Sequence, residues 1–526
     1  MLFNSYIFAL FFAAFMPLYL VVRRNVFARN SLLLAASYIF YGWWDPRFLI
    51  LVAVSTSVDY IAALGAAGKP VPWTDRMKSA GFQIATTAAA VAFAPQSAVW
   101  ISATVIGGLL LAGLATVLID RAPQEKQRFY WLCLSLVTNL GILAFFKYFN
   151  FFTGSVRDAI STLGVNVEFT TLSIILPVGL SFYTFQAISR TIDCYRGKFD
   201  PAYSIVNYAA YHAFFPQLVA GPIERAAHLI PQFEAVQPLN IKLFVSGLEL
   251  FLWGLYLKLV IADNMAPIAN AVFADPASQS GAATLAGVLA FTLQIYCDFC
   301  GYSNMARGLA RCLGFDLMAN FNLPYFARSP SEFWQRWHIS LSSWLRDYLY
   351  VPLGGNRFGM PNMYRNLMLT MLLGGLWHGA AWTFVVWGAF HGLIQVIYRA
   401  LGIDALLARY RIATAGGLPL HLLSWFVTLS LVMVGWVFFR AQSFDTATTV
   451  LTNALKPDGY AWDVFQPIVA LATPMIVAEC YLRWTNRQEL ILDQAFPVRY
   501  LLVLFLFFSV LVLHSPVSQE FIYFDF

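Results

Sequence analysis

Seven histidines punctuate the chain, at positions 212, 228, 338, 378, 391, 421 and 514. Two of them sit where an imidazole has chemistry open to it. His378 lies in MLLGGLWHGAAWTFVVWGAFHG (371–392), inside a strongly apolar run. Ionisable groups at membrane depth are costly, usually face a cavity and mark function. Neutral imidazole is also cheap enough to bury as a structural group, so the residue alone weighs both readings evenly. Gly374, Gly375 and Gly379 strip side chains from its surroundings. That suits the close approach of a long thin ligand and, equally, plain helix packing. A Trp377–His378 pair walled by glycines suits an apolar tunnel ending at a base.

His338 stands in SEFWQRWHISLSSWLRDYLY (331–350). Taken as a helix, Trp334, Trp337, Leu341, Trp344 and Tyr348 form one stripe, with Glu332, Arg336, Ser340, Ser343 and Asp347 opposite. An aromatic face against a charged face predicts a helix lying flat in the membrane interface. His338 lies between the stripes, one turn before Ser342, and anchoring does not account for it. Asp298 and Tyr302, one turn apart and close to Gln294 and Asn304, make another polar spot in an apolar span. They could orient a histidine, bind substrate or bond each other; because paired polar groups satisfy themselves, a supporting role is favoured.

No GxSxG, Walker lysine motif, HExxH or dinucleotide fingerprint occurs in a suitable context. The six cysteines are 133, 194, 297, 300, 312 and 480. The Cys297/Cys300 pair has no second pair to complete a tetrahedral metal site, so these read as buried small side chains. Two histidines without an evident serine or cysteine nucleophile favour direct transfer. A base takes the proton of an incoming hydroxyl while that oxygen attacks an activated acyl group. On residues alone this is one hypothesis among several.

The elements that must position these groups are membrane helices. Of 526 residues, 59% are hydrophobic, 17% aromatic and only 11% charged, against about a quarter charged in soluble domains. Apolar runs of bilayer length recur roughly a dozen times. They fall near 5–22, 30–44, 47–66, 80–95, 97–118, 129–147, 171–190, 205–221, 241–262, 282–313, 366–400, 417–439, 464–482 and 497–514, some of them splitting or lying in the interface. The expected fold class is an all-α polytopic integral membrane protein, with one membrane-embedded domain over 1–526. The run Tyr6 to Val22 lacks a basic flank before it, and Arg23, Arg24 and Arg29 follow. This predicts a retained first span with the N-terminus outside. Lys69, Arg76, Lys78, Arg121, Lys126, Arg128, Arg190, Arg196 and Lys198 fall on the cytoplasmic side if spans alternate. The net charge of +6 is thus a matter of topology and calls for no nucleic acid. FFPQLVAGPIERAAHLIPQF (214–233), with three prolines and a glycine, predicts a broken helix or re-entrant loop bordering a cavity.

EFWQRWHISLSSWLRDYLYVPLGGNR and RNLMLTMLLGGLWHGAAWTFVVWGAFHG together resemble the membrane-bound O-acyltransferase family, within it the bacterial branch that acetylates alginate and cellulose. The likeness continues in NSLLLAASYIFYGWWDPRFL (30–49), FFKYFNFF (145–152), ILPVGLSFYTFQAISRTIDCYRG (175–197), FFPQLVAGPIER, YCDFCGYSNMARGLA (296–310), NFNLPYF (320–326, with Asn320), VGWVFFRA (434–441) and the terminal FIYFDF. The resemblance implies a catalytic core near 170–400 and His378 as general base beneath an outward funnel. It implies His338 facing the acyl donor, with Asp298, Tyr302, Trp337, Ser342, Trp377 and Asn320 as substrate-binding or supporting candidates. No cofactor is expected beyond a co-substrate, acetyl-CoA or another acyl thioester. Expected partners are the lipid bilayer, an exported polysaccharide and its synthesis machinery, or a periplasmic SGNH-type acetyltransferase, at the bacterial inner membrane. Residues 67–128 hold about two spans more than this branch needs; Asn304 replaces its usual aspartate and Cys300 its usual serine. A sibling reading is D-alanyl transfer toward teichoic acid using a carrier protein. A transporter is a third, since broken helices and buried polar groups also line transport paths, but the two halves show no symmetric broken pair.

Overall fold

The computed structural model describes residues 1–165, 171–201, 204–410, 417–492, 494–517 and 519–524. Among the described residues every regular element is helical. Eight of the described helices are long and apolar enough to cross a membrane, nine if a helix pair bent by 52° after Ala400 counts as one. The remaining apolar runs fall on shorter or more polar helices, such as Tyr6–Val22 and Val26–Gly42. The contacts divide the chain into two compact units: 1–241 with 313–317, and 242–312 with 318–526.

In the first unit the centre is α1 (Leu49–Ala66), buried along almost its whole length. It carries Asp59, a carboxylate with 0% exposure. The cost of burying it is offset by donors: Ser135, and Asn139 at 2.9 Å, both from α2 (Gln124–Leu143). α3 (Leu180–Tyr195) supplies Arg190, whose Nη1 donates to the Asp59 carbonyl at 2.9 Å. Polar residues scattered in three apolar runs are therefore one knot tying the helices together. The helix Ala98–Arg121 turns most of its apolar surface outward.

Two expected runs take a different shape here. The run at 171–190 is helical only from Leu180, because Pro177 and Gly179, the latter at φ +75°, stop it. The run at 205–221 breaks into Ile205–His212 and Phe215–Leu218, as Pro216 fits only a first turn. A third helix, Ala226–Glu234, contains Pro231. This is the broken path the proline content predicts.

The second unit holds both histidines of interest. α4 (Ile241–Tyr256) crosses α5 (Gly281–Cys312) at backbone contact distance. A methyl group on Gly254 would lie 2.5 Å from the Gly301 carbonyl, and one on Gly308 2.5 Å from that of Gly247. Small residues on matching faces let two helices close to this distance. α6 (Pro330–Arg336) begins at Ser329, whose hydroxyl caps the Glu332 N–H, with Pro330 in the first turn. α7 (Ile339–Leu345) follows directly. α8 (Gly359–His378) and α9 (Trp382–Ala400) form a tight hairpin, so the apolar stretch 366–400 is two helices with His378 at the bend. α10 (Gly417–Arg440) packs beside α9.

The single flat amphipathic helix expected over 331–350 is not formed. The chain breaks between α6 and α7 at His338, which adopts φ +42°. Phe333, Trp337 and Leu341 are each 1% exposed, and Ser340, expected among the solvated charges, is fully buried. The aromatic stripe serves a protein core: Trp337 stacks on Phe333 at 5.5 Å and meets Trp436 of α10 at 4.8 Å. Residue spacing alone treats the segment as one continuous helix, and the left-handed break invalidates that assumption.

Candidate active site

The site is built from three chain breaks. His338 occupies the first, in the left-handed region that costs an L-residue about 1–2 kcal/mol. Asn320 holds it there. The Asn320 carbonyl accepts the Ile339 N–H at 2.9 Å and its side-chain oxygen accepts the Ser340 N–H at 3.3 Å, while its amide donates to Ser303 at 3.1 Å. The first two N–H groups of α7 are thereby satisfied from outside the helix, as a helix start needs. Ser342 donates to the Trp337 carbonyl at 3.1 Å across the same bend.

His378 occupies the second break, as the last residue of α8. Its ring centre lies 6.4 Å from that of His338, close enough for one small acyl group to touch both. Trp377 and Trp387 each stand 5.0 Å from His378, and Phe439 stands at 5.3 Å. Phe299 of α5 sits edge-on to His338 at 4.6 Å. The two imidazoles are 0% and 4% exposed, inside an aromatic box.

The third break is at the C-terminus. Residues 519–523 return to the box and place the Tyr523 ring 5.8 Å from His378 and 6.3 Å from His338. A buried charge cluster fastens this tail. Lys258, in a π-helical turn after α4, reaches Asp263 at 2.7 Å and Asp298 of α5 at 2.9 Å. It also donates to the carbonyls of Gln519 and Glu520, at 3.1 and 3.4 Å. Asp298 in turn accepts the Ile522 N–H at 2.8 Å. The glycine contacts between α4 and α5 bring Lys258, one turn beyond Gly254, beside Asp298, one turn before Gly301. Tyr302 completes the anchor, its ring 4.7 Å from that of Phe521.

A cavity of about 320 Å³ leads to His378. Ser342 and Trp387 line it, together with one face of α8: Leu367, Thr370, Met371 and Gly374. The glycines around His378 divide between the two roles. A methyl on Gly374 would meet only the Leu345 side chain, at 3.2 Å, whereas on Gly375 it would lie 2.3 Å from the Phe384 carbonyl and on Gly379 2.1 Å from the Phe384 ring. Gly374 therefore opens the cavity, and the other two allow packing.

Of the expected site residues, His338, His378 and Trp377 converge at the box, with Ser342 on the cavity wall. Asn320 fixes the His338 backbone, Asp298 and Tyr302 hold the tail, and Trp337 lies in the aromatic core behind. Lys258, Asp263 and Tyr523 were missed. A lysine within an apolar stretch is the signal that could have flagged the first. His391 of α9 is fully buried among Trp334, Trp387 and Phe333 rings, and lies outside the cavity lining. Cys297 contacts the Met475 sulfur at 3.3 Å and Cys300 accepts from Asn304 at 3.4 Å, both thiols buried. Among the described residues no cluster of three His, Cys, Asp or Glu side chains is arranged to hold a metal.

The described residues thus bring two buried imidazoles together in a multi-pass membrane protein, one of them lining a cavity. Residues 126–439 match the membrane-bound O-acyltransferase family model, and the chain belongs to that family. It is 43% identical over 448 residues to the Azotobacter vinelandii protein named "Probable alginate O-acetylase AlgI", covering 85% of this chain and 76% of that one. It is 36% identical to a peptidoglycan O-acetyltransferase of Helicobacter pylori, covering 67% and 70%. A teichoic acid D-alanyltransferase of Streptococcus thermophilus is 26% identical over 55% of this chain and 75% of its own.

Proposed function

We propose that the protein transfers an acetyl group from a cytoplasmic acyl thioester to hydroxyls of an exported polysaccharide, alginate-like or cellulose-like, directly or through a periplasmic SGNH-type partner. The observation that carries this reading is the buried His338–His378 pair, with ring centres 6.4 Å apart and His378 lining a cavity. His378 takes the proton of the acceptor hydroxyl as its oxygen attacks the thioester carbonyl carbon. The carbon–sulfur bond breaks, the thiolate leaves on the His338 side, and the proton held by His378 passes to it, which regenerates the base. The aromatic walls keep water from competing for the acyl group.

The extent of the likenesses supports acetyl over D-alanyl transfer: the alginate relative aligns over 85% of this chain and the D-alanyltransferase over 55%. Arg23, Arg24 and Arg29 after the first apolar helix support an external N-terminus in a bacterial inner membrane. The test is mass analysis of exopolysaccharide from cells carrying His378→Ala, with membrane insertion verified by immunoblot of the membrane fraction. Loss of O-acetyl groups is expected; normal acetylation with the variant correctly inserted overturns the assignment of His378.

A further inference from the structure

The cavity that ends at His378 has a second end, and its charge is informative. Among the residues lining it only Arg346 and Arg399 carry a formal charge, and both are exposed. Arg346 pairs with its neighbour Asp347 at 2.8 Å, on the surface. Arg399 contacts the Met363 sulfur at 3.7 Å. The other described lining residues are apolar or uncharged, Leu345, Leu367, Met371, Gly374, Tyr350 and Gln395 among them.

The hairpin sets the length. Trp387, 5.0 Å from the His378 ring, and Arg399 both line the cavity on α9. They are twelve residues apart (399 − 387), which is about 18 Å at the rise of an α-helix. A ligand spanning it needs an uncharged body of that order, a reactive group at one end and an anion at the other. A pantetheine-type arm between thioester and phosphate has roughly this reach at extended-chain dimensions. Two sugar units of a uronate polymer present a carboxylate on the same scale.

We propose that Arg399 and Arg346 form an anion subsite at the mouth of this cavity, binding a phosphate or carboxylate of the substrate whose reactive end reaches His378. This rests on the transfer reaction proposed above. The guanidinium fork suits such oxyanions bidentately. The alternative role is an interfacial anchor, in which the arginine head lies in the lipid headgroup region and contributes nothing to substrate binding.

The test uses the full chain in lipid nanodiscs, with acetyl-CoA as donor, an oligouronate as acceptor and free thiol as readout. Arg399→Glu and Arg346→Glu are compared with Arg399→Lys. A donor phosphate source predicts that KM for acetyl-CoA rises on the order of tenfold or more for each glutamate variant. It also predicts partial retention in Arg399→Lys, and parent and variants converging on S-acetyl-pantetheine, which has no phosphate. A carboxylate source predicts the same rise in the acceptor KM, abolished when a neutral oligosaccharide replaces the uronate. Unchanged KM values for both substrates in both glutamate variants overturn the subsite and leave the transfer reaction standing. Thiol release and transfer undiminished in His378→Ala would instead overturn the reaction, so the two failures are distinct.

Discussion

Lys258→Met is the most revealing perturbation of the tail anchor. Lys258 is 4% exposed, and Asp263 and Asp298 are each 2% exposed. Removing the ammonium leaves two carboxylates facing each other in a dry site and frees the carbonyls of Gln519 and Glu520. Breaking a buried ion pair by deleting one partner costs about 3–5 kcal/mol. Most of that is the unpaired charge, and it can be removed separately. Adding Asp263→Leu and Asp298→Asn leaves no charge in the cluster, so stability should return to within about 2 kcal/mol of the parent. The tail would still lack its two contacts to Lys258, keeping the bond between residue 298 and the Ile522 N–H and the Phe521–Tyr302 ring contact. If the tail positions Tyr523 against the two imidazoles, turnover stays reduced in the restored protein. A displacement of about 1 Å at a reacting centre can cost up to 100-fold. The assay pairs thermal unfolding followed by tryptophan fluorescence with release of free thiol from acetyl-CoA in nanodiscs. A triple variant that recovers stability and full turnover together would show that the tail is only a structural plug, and the placement argument would fail.

Two other outcomes follow from packing and charge. Gly375→Ala should lower the unfolding temperature markedly, because its methyl meets the Phe384 carbonyl at 2.3 Å, whereas Gly374→Ala should fold normally and narrow the cavity beside His378; equal stability of the two would contradict the division of roles. In the first unit, half-exposed His228 bonds to Asp316 and Glu224, which raise its pKa to about 10. A folded pKa above the unfolded value of about 6.5 means the stabilisation is complete below pH 6.5 and fades as pH climbs toward 10. His228→Gln should therefore flatten the fall in unfolding temperature between those limits, and an unchanged profile would remove His228 from the account.

The candidate site was partly legible before folding because its chemistry is rare for its surroundings. A histidine in a glycine-rich apolar run, and another among tryptophans, are conspicuous in a chain with so few charges. Asp298 and Tyr302 stood out for the same reason, and the fold places both of them against the tail. Lys258 was hidden by distance: its carboxylate partners lie five and forty residues on, and the tail it holds is more than 250 residues away. Helical periodicity misled at 331–350 because a dihedral break at one residue leaves no trace in the spacing of side chains.

Composition and hydropathy by themselves determined that this chain lives in a bilayer as a bundle of helices, because apolar length and scarce charge leave backbone polar groups no other way to be satisfied. The motifs around His338 and His378 determined the family. Tertiary structure alone decided that the two imidazoles share one box, that Asn320 holds the first at a left-handed turn, and that Tyr523 returns to them. Those relations are set by helix crossings and buried ion pairs between residues far apart in sequence, where local pattern carries no information.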